Sequence, residues 1–99
     1  MHTHTVFFWL WKTTSMQDRE TFRNGLNHLM KDPNVRQFVI GEPARTNRDV
    51  VDGSYDFGCV VSFDSTQDHN LYQVGQHHEE FLERCKHLWS RVQVFDIES

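Results

Sequence analysis

The chain has few of the residues that announce a function on their own. Of its 99 residues, two are cysteine and two are proline. Cys59 lies in an apolar strand-like run and Cys85 on an apolar helical face, which suits buried free thiols of a reducing compartment better than a disulfide framework. No apolar run is as long as a bilayer span, and MHTHTVFF lacks the charged region and small-residue cleavage site of a secretion signal. A cytoplasmic protein without a membrane helix is the expectation. The ten Lys and Arg are scattered and the net charge is −4, so a nucleic acid would find no basic track. Gly-rich phosphate loops, a G-x-S-x-G elbow, paired Cys-x-x-Cys and flavin or haem motifs are all missing. No cofactor is implied, and any chemistry has to come from single side chains that the fold brings together.

Aromatic and imidazole rings, by contrast, are abundant: seven His, eight Phe and three Trp. Thr3 to Lys12 predicts a strand with His4, Val6, Phe8 and Leu10 on one face and Thr5, Phe7, Trp9 and Trp11 on the other. Both faces need covering. Helices supply one layer, and a chain of this length has little left for a second, so Phe7, Trp9 and Trp11 point to a homodimer interface.

Capping hydroxyls at Thr13 to Ser15, with Asp18 three residues after Ser15, open a helix running to about Lys31. Its apolar stripe is Phe22, Leu26, Leu29 and Met30, with Gly25 beside it for close packing; Asp32-Pro33 ends it. Val35 to Glu42 predicts a second strand, residues 44–54 a surface loop able to serve as a lid or dimer arm, and Tyr55 to Phe63 a third strand. Ser65 and Asp68 form another capping pair before a short helix carrying Leu71 and Tyr72. Gly75, in a left-handed conformation, is expected to stop that helix before one from Gln76 to Ser90. On the latter His78, Phe81, Cys85 and Leu88 share the buried stripe while His77 faces solvent. Arg91 to Ile97 supplies the last strand. This order, βαββααβ within one domain spanning residues 1–99, predicts a ferredoxin-like α+β fold with a four-stranded antiparallel sheet and helices on one face.

Periodicity aims His78, Tyr72 and His4 at one interior space. A histidine near neutral pKa removes protons, and a phenol stabilises the oxygen that gains charge when a proton leaves the carbon beside a carbonyl. Enolate chemistry is the reading that follows, with Phe22, Leu26, Phe81 and Leu88 as the apolar wall for a small hydrophobic carbonyl or aromatic ligand. The bland alternative makes His78 a core histidine bonded to a backbone carbonyl and Tyr72 a core residue with a wet hydroxyl. A metal held by His2, His4 and His78 lacks a spaced acidic partner, so the site is read without metal.

Separated stretches then resemble the stress-responsive dimeric α/β-barrel family over nearly the whole chain. They are His4-Thr-Val-Phe-Phe-Trp-Leu, Val50-Val51-Asp52-Gly53-Ser54-Tyr55, Phe63-Asp64-Ser65, Tyr72-Gln73, His78, Phe81 and Leu88-Trp89-Ser-Arg-Val-Gln-Val-Phe-Asp. The resemblance implies that two protomers pack their sheets face to face into a barrel. Some members are plant polyketide cyclases, the olivetolic acid cyclase kind, which close a poly-β-ketone by aldol condensation without metal or cofactor. Carried over to matching positions, His78 becomes the base, Tyr72 its assistant and His4 a pocket residue. The chain departs from the family at Gly75-Gln76-His77-His78, where His-Pro-x-His is usual, and at Phe57, where the cyclases place a histidine. Two other readings are a non-catalytic stress or ligand-binding protein and an oxygenase of the related dimeric-barrel superfamily.

Overall fold

Strict alternation in the first strand sets the layers. In the computed structural model, which describes residues 1–99, β1 (His2–Leu10) buries every second side chain from His2 to Leu10. The intervening Thr3, Thr5, Phe7 and Trp9 face away from the helices, as a period of two requires. β1 is central, paired with β3 (Phe57–Phe63) on one side and β4 (Trp89–Glu98) on the other. β2 (Gln37–Gly41) adds to β3, so the antiparallel order is β2-β3-β1-β4.

Helices α1 (Met16–Leu29), α2 (Thr66–Gln73) and α3 (Gln76–Cys85) cover the inner face, followed by a 3₁₀ turn at Lys86–Leu88. Both expected caps form: Ser15 Oγ accepts the Asp18 N–H at 3.0 Å and Ser65 Oγ accepts that of Asp68 at 3.1 Å. This is the ferredoxin-like α+β fold, its second helix broken in two. One cluster of buried residues fills the space between layers, with Phe22, Leu26, Phe57, Val61, Phe63 and Cys85 wholly enclosed. α1 approaches α3 closely because Gly25 has no side chain; a Cβ there would sit 2.5 Å from Cys85 Sγ. No helix is long and apolar enough to cross a membrane.

Four local expectations are corrected. Gly75 has φ −80° and ψ 166° and caps the start of α3 in extended geometry. Its role is therefore room, since a Cβ there would lie 3.1 Å from Asp32 Oδ2 and 3.2 Å from the Leu71 carbonyl. The third strand begins at Phe57, not Tyr55, because the Asp56 carboxylate takes the Leu10 N–H at 2.7 Å where the ladder would continue. Tyr55 instead lays its ring 4.8 Å from Phe7 on the outer side. The last helix stops at Cys85 and the chain already pairs as a strand at Trp89, opposite Leu10. Finally, β1 ends at Leu10, so Trp11 does not continue the Phe7–Trp9 row and stands 56% exposed beyond it.

Candidate active site

β1, β3, α2 and α3 bring the sequence-singled residues to one place. A cavity of about 170 Å³ lies between sheet and helices, lined by His4, Val6, Phe8, Cys59, Tyr72 and His78 among others, with Phe81, Leu82 and Trp89 on its far wall. Val92 and Val94 of edge strand β4 complete it. His78 reaches it from the first turn of α3, and its ring meets Tyr72 edge-on with centroids 5.5 Å apart. The His4 ring stands 6.2 Å from Tyr72 on the opposite side. Of the four expected wall residues only Phe81 lines the space. Phe22, Leu26 and Leu88 are sealed within the core, Phe22 in edge-on contact with Phe8 and Phe81, so the helical stripe is right but its lower part packs against protein instead of the cavity.

No hydrogen bond from the protein holds the His78 imidazole or the Tyr72 phenol. Since no enclosed side-chain nitrogen or oxygen goes without a partner, these polar atoms border accessible space. Burial lowers the His78 pKa, the neighbouring His4 and His69 lower it further, and only Asp32 opposes. At neutral pH the imidazole is thus an uncharged base. Burial pushes the Tyr72 phenol well above its ordinary range, with Cys59 and Asp32 adding to the shift, so it remains a proton donor to a hydrogen bond. Cys59 is pushed up to about 12 by burial.

His4 belongs to the cavity and to a second, polar group. Its Nδ1 lies 2.6 Å from Asp96 Oδ1, while His2 Nε2 approaches the same oxygen at 2.9 Å. Gln73 Nε2 stands 3.4 Å from His4 Nε2 and 3.2 Å from His69 Nε2. Burial lowers the His4 pKa against the opposing pull of Asp96. Asp96, His69 and Gln73 carry no role in the sequence reading above. Continuing the β4 alternation from Val92 and Val94 places Asp96 on the inner face, opposite His4, and that is the signal that finds it. His77 does not simply face solvent: its ring is half-buried, stacked obliquely 5.2 Å from His28, with Nδ1 4.0 Å from the buried Asp32 carboxylate.

Larger hollows occur elsewhere, and none is lined by a histidine. One of about 520 Å³ is framed by Glu42 to Thr46 and Gly53, and another of about 270 Å³ lies on the outer sheet face among Phe7, Trp9, Tyr55, Arg91 and Phe95.

Fold and site together define a ferredoxin-like α+β protein with a small apolar pocket between its sheet and helices. The chain belongs to the stress responsive A/B barrel domain family, whose model matches residues 3–99. No curated protein matches it in sequence. Among solved structures it is similar to a protein of Arabidopsis thaliana (TM-score 0.83, 17% identity, covering 100% of this chain and 95% of that one). A hydroxynitrile lyase of Passiflora edulis is also similar (TM-score 0.81, 16% identity, 97% and 90% covered). A third is a dimeric ferredoxin-like protein of Thermobifida fusca (TM-score 0.80, 18% identity, 99% and 90% covered). At these identities the likeness is one of fold.

Proposed function

We propose that the chain is a lyase- or cyclase-type enzyme that abstracts a proton beside the carbonyl of a small hydrophobic compound. His78 is the general base, Tyr72 the hydrogen-bond donor to the developing enolate oxygen, and His4 the group that orients the substrate. The observation that carries this reading is the pair of polar groups at the cavity that have no protein partner and border accessible space. A structural histidine spends its ring nitrogens on the protein, whereas those of His78, like the Tyr72 hydroxyl, remain for a ligand.

Size narrows the substrate. Cavities of about 150 Å³ admit benzene, and pockets for drug-sized ligands run to about 300–1,000 Å³, so a space of about 170 Å³ suits one ring or a short chain. The pocket opens past the partly exposed Val92 and Val94, so this volume describes the part of a substrate held against His78 and Tyr72, and a longer chain extends beyond it. That a hydroxynitrile lyase shares this fold supports carbon–carbon bond chemistry on such a scaffold. The test is solvent deuterium uptake at the α-carbon of small aryl and alkyl ketones, followed by NMR, in the native chain and in His78→Ala and Tyr72→Phe. Equal exchange in all three sinks the assignment.

The functional unit in this reading is a homodimer. The outer sheet face exposes Val39, Val60, Phe95 and Ile97 around half-buried Phe7 and Trp9, an apolar surface of the kind that marks an association site. A similar structure is described as dimeric. Light scattering on the native chain should give twice the protomer mass, and Trp9→Glu should halve it.

A further inference from the structure

We infer that His2, His4, His69 and Asp96 form a binding site for a divalent transition ion of the zinc class, at the corner where β1, β4 and the start of α2 meet. Their ligand atoms all lie within 4.8 Å of one another. Three of the side chains are buried, at 5%, 5% and 7% exposure, and Asp96 lies at the surface as a route for the ion. Nitrogen and carboxylate oxygen in this number match four-coordinate zinc, with bonds of about 2.0–2.2 Å.

The hydrogen bonds behind the cluster supply an independent reason. Thr66 donates its hydroxyl proton to Glu98 at 2.6 Å, so the same oxygen accepts the Nδ1–H of His2 at 3.1 Å. His69 Nδ1 is likewise 3.1 Å from Asn70 Oδ1, an acceptor. In this tautomer neutral His2 presents its Nε2 lone pair to the Asp96 carboxylate at 2.9 Å, while His69 Nε2, 3.8 Å from the same oxygen, accepts a Gln73 side-chain N–H at 3.2 Å. Lone pairs facing a carboxylate repel unless a cation lies among them. A proton meets that need at His2, and so does a divalent ion, which the imidazoles of His4 and His69 lie near enough to share. Outer groups that fix the far ring nitrogen are the usual support of metal-bound histidine, and the Thr66–Glu98 relay behind His2 has that form. The His2 and His69 rings stack 3.9 Å apart, and the Nε2 atoms of both approach Asp96 Oδ1.

This inference stands apart from the proposed reaction, and its readout is binding. Untagged protein stripped with a chelator is titrated with Zn²⁺ by calorimetry and with Co²⁺ by visible absorption. The expected result is one ion per chain, the intense bands of tetrahedral Co²⁺ and a higher melting temperature. Asp96→Asn and His69→Gln should each weaken Zn²⁺ by more than about 10-fold, and Thr66→Val, which removes only the support behind His2, by about 10- to 100-fold. His77→Gln, at the other histidine cluster, should leave the affinity unchanged. Asp96 is partly exposed and Asn preserves its shape, so that variant remains informative if His69→Gln folds poorly. Failure to saturate at one ion per chain overturns the inference, as does affinity that survives intact in Asp96→Asn. His78→Ala separates the two ideas, because it should slow proton exchange by about 10²–10⁴-fold and keep the metal.

Discussion

The two histidine groups between the sheet and its helices differ in what their nitrogens are committed to. At the corner, His2 and His4 share one Asp96 oxygen, and Thr66, Glu98 and Gln73 surround them. At the cavity, His78 and Tyr72 touch each other's rings and bond to nothing in the protein. The first arrangement holds β1 to β4 and α2. The second leaves its polar atoms facing open space. His4 lies on the boundary, with Nδ1 turned to the polar corner and its ring edge to the cavity, so changes on one side should be felt on the other.

The sharpest way to break this contrast is at the base. His78→Ala should slow α-proton exchange by about 10²–10⁴-fold, the usual worth of a positioned general base, with little change in melting temperature. Tyr72→Phe should cost about 10²–10³-fold if the phenol serves an oxyanion. Should either variant unfold the protein and leave exchange per folded molecule intact, the two regions are alike and both structural.

Phe22→Ala provides the opposite pattern. Phe22 is enclosed and absent from the cavity lining, so chemical denaturation should show about 3–5 kcal/mol of lost stability while ligand affinity per folded molecule holds. Gly25→Ala places a methyl against Cys85 Sγ and should destabilise by about 1–3 kcal/mol. Asp96→Asn takes the charge from the oxygen shared by His2 and His4, and about 1–3 kcal/mol of stability should go with it in chelated buffer.

Acid distinguishes the regions more gently. The folded pKa of His78 is lower than its ordinary value of 6.5. Exchange should therefore hold steady down to that value, then fall as pH passes through the lower folded pKa and the base is protonated. The same shift means the unfolded chain binds the proton more readily, so His78 contributes a loss of stability that begins as pH drops below about 6.5 and is complete below the folded value. On the alkaline side the raised Tyr72 keeps its proton beyond the normal phenol range, and the exchange plateau should extend accordingly.

The fold was legible because periodicity and capping agree along the chain. Alternation in β1 and the pairs Ser15–Asp18 and Ser65–Asp68 all report local geometry, and local geometry survives into the tertiary structure. Tyr72, His78 and His4 could be named for the same reason, each lying on the inner face of its element. What escaped depends on pairing across the chain. Asp96 meets His4 at 92 residues' separation through the β1–β4 register, and Asp32 approaches Gly75 and His77 only once α1 and α3 have packed. The apolar stripe of α1 marked Phe22 and Leu26 as interior correctly, yet a stripe cannot tell core from cavity wall, since both bury the same face.

The high thiol pKa of Cys59 has a chemical consequence for whatever occupies the cavity. Aldehydes and enones are captured by thiolates, and a reactive thiol is one kept ionised. Cys59 borders the space but stays protonated to about pH 12, so an electrophilic guest rests against an inert sulfur. In the proposed reading such a sulfur lets the pocket hold a reactive carbonyl without a dead-end adduct, and alkylating reagents small enough to enter should leave it unlabelled at neutral pH.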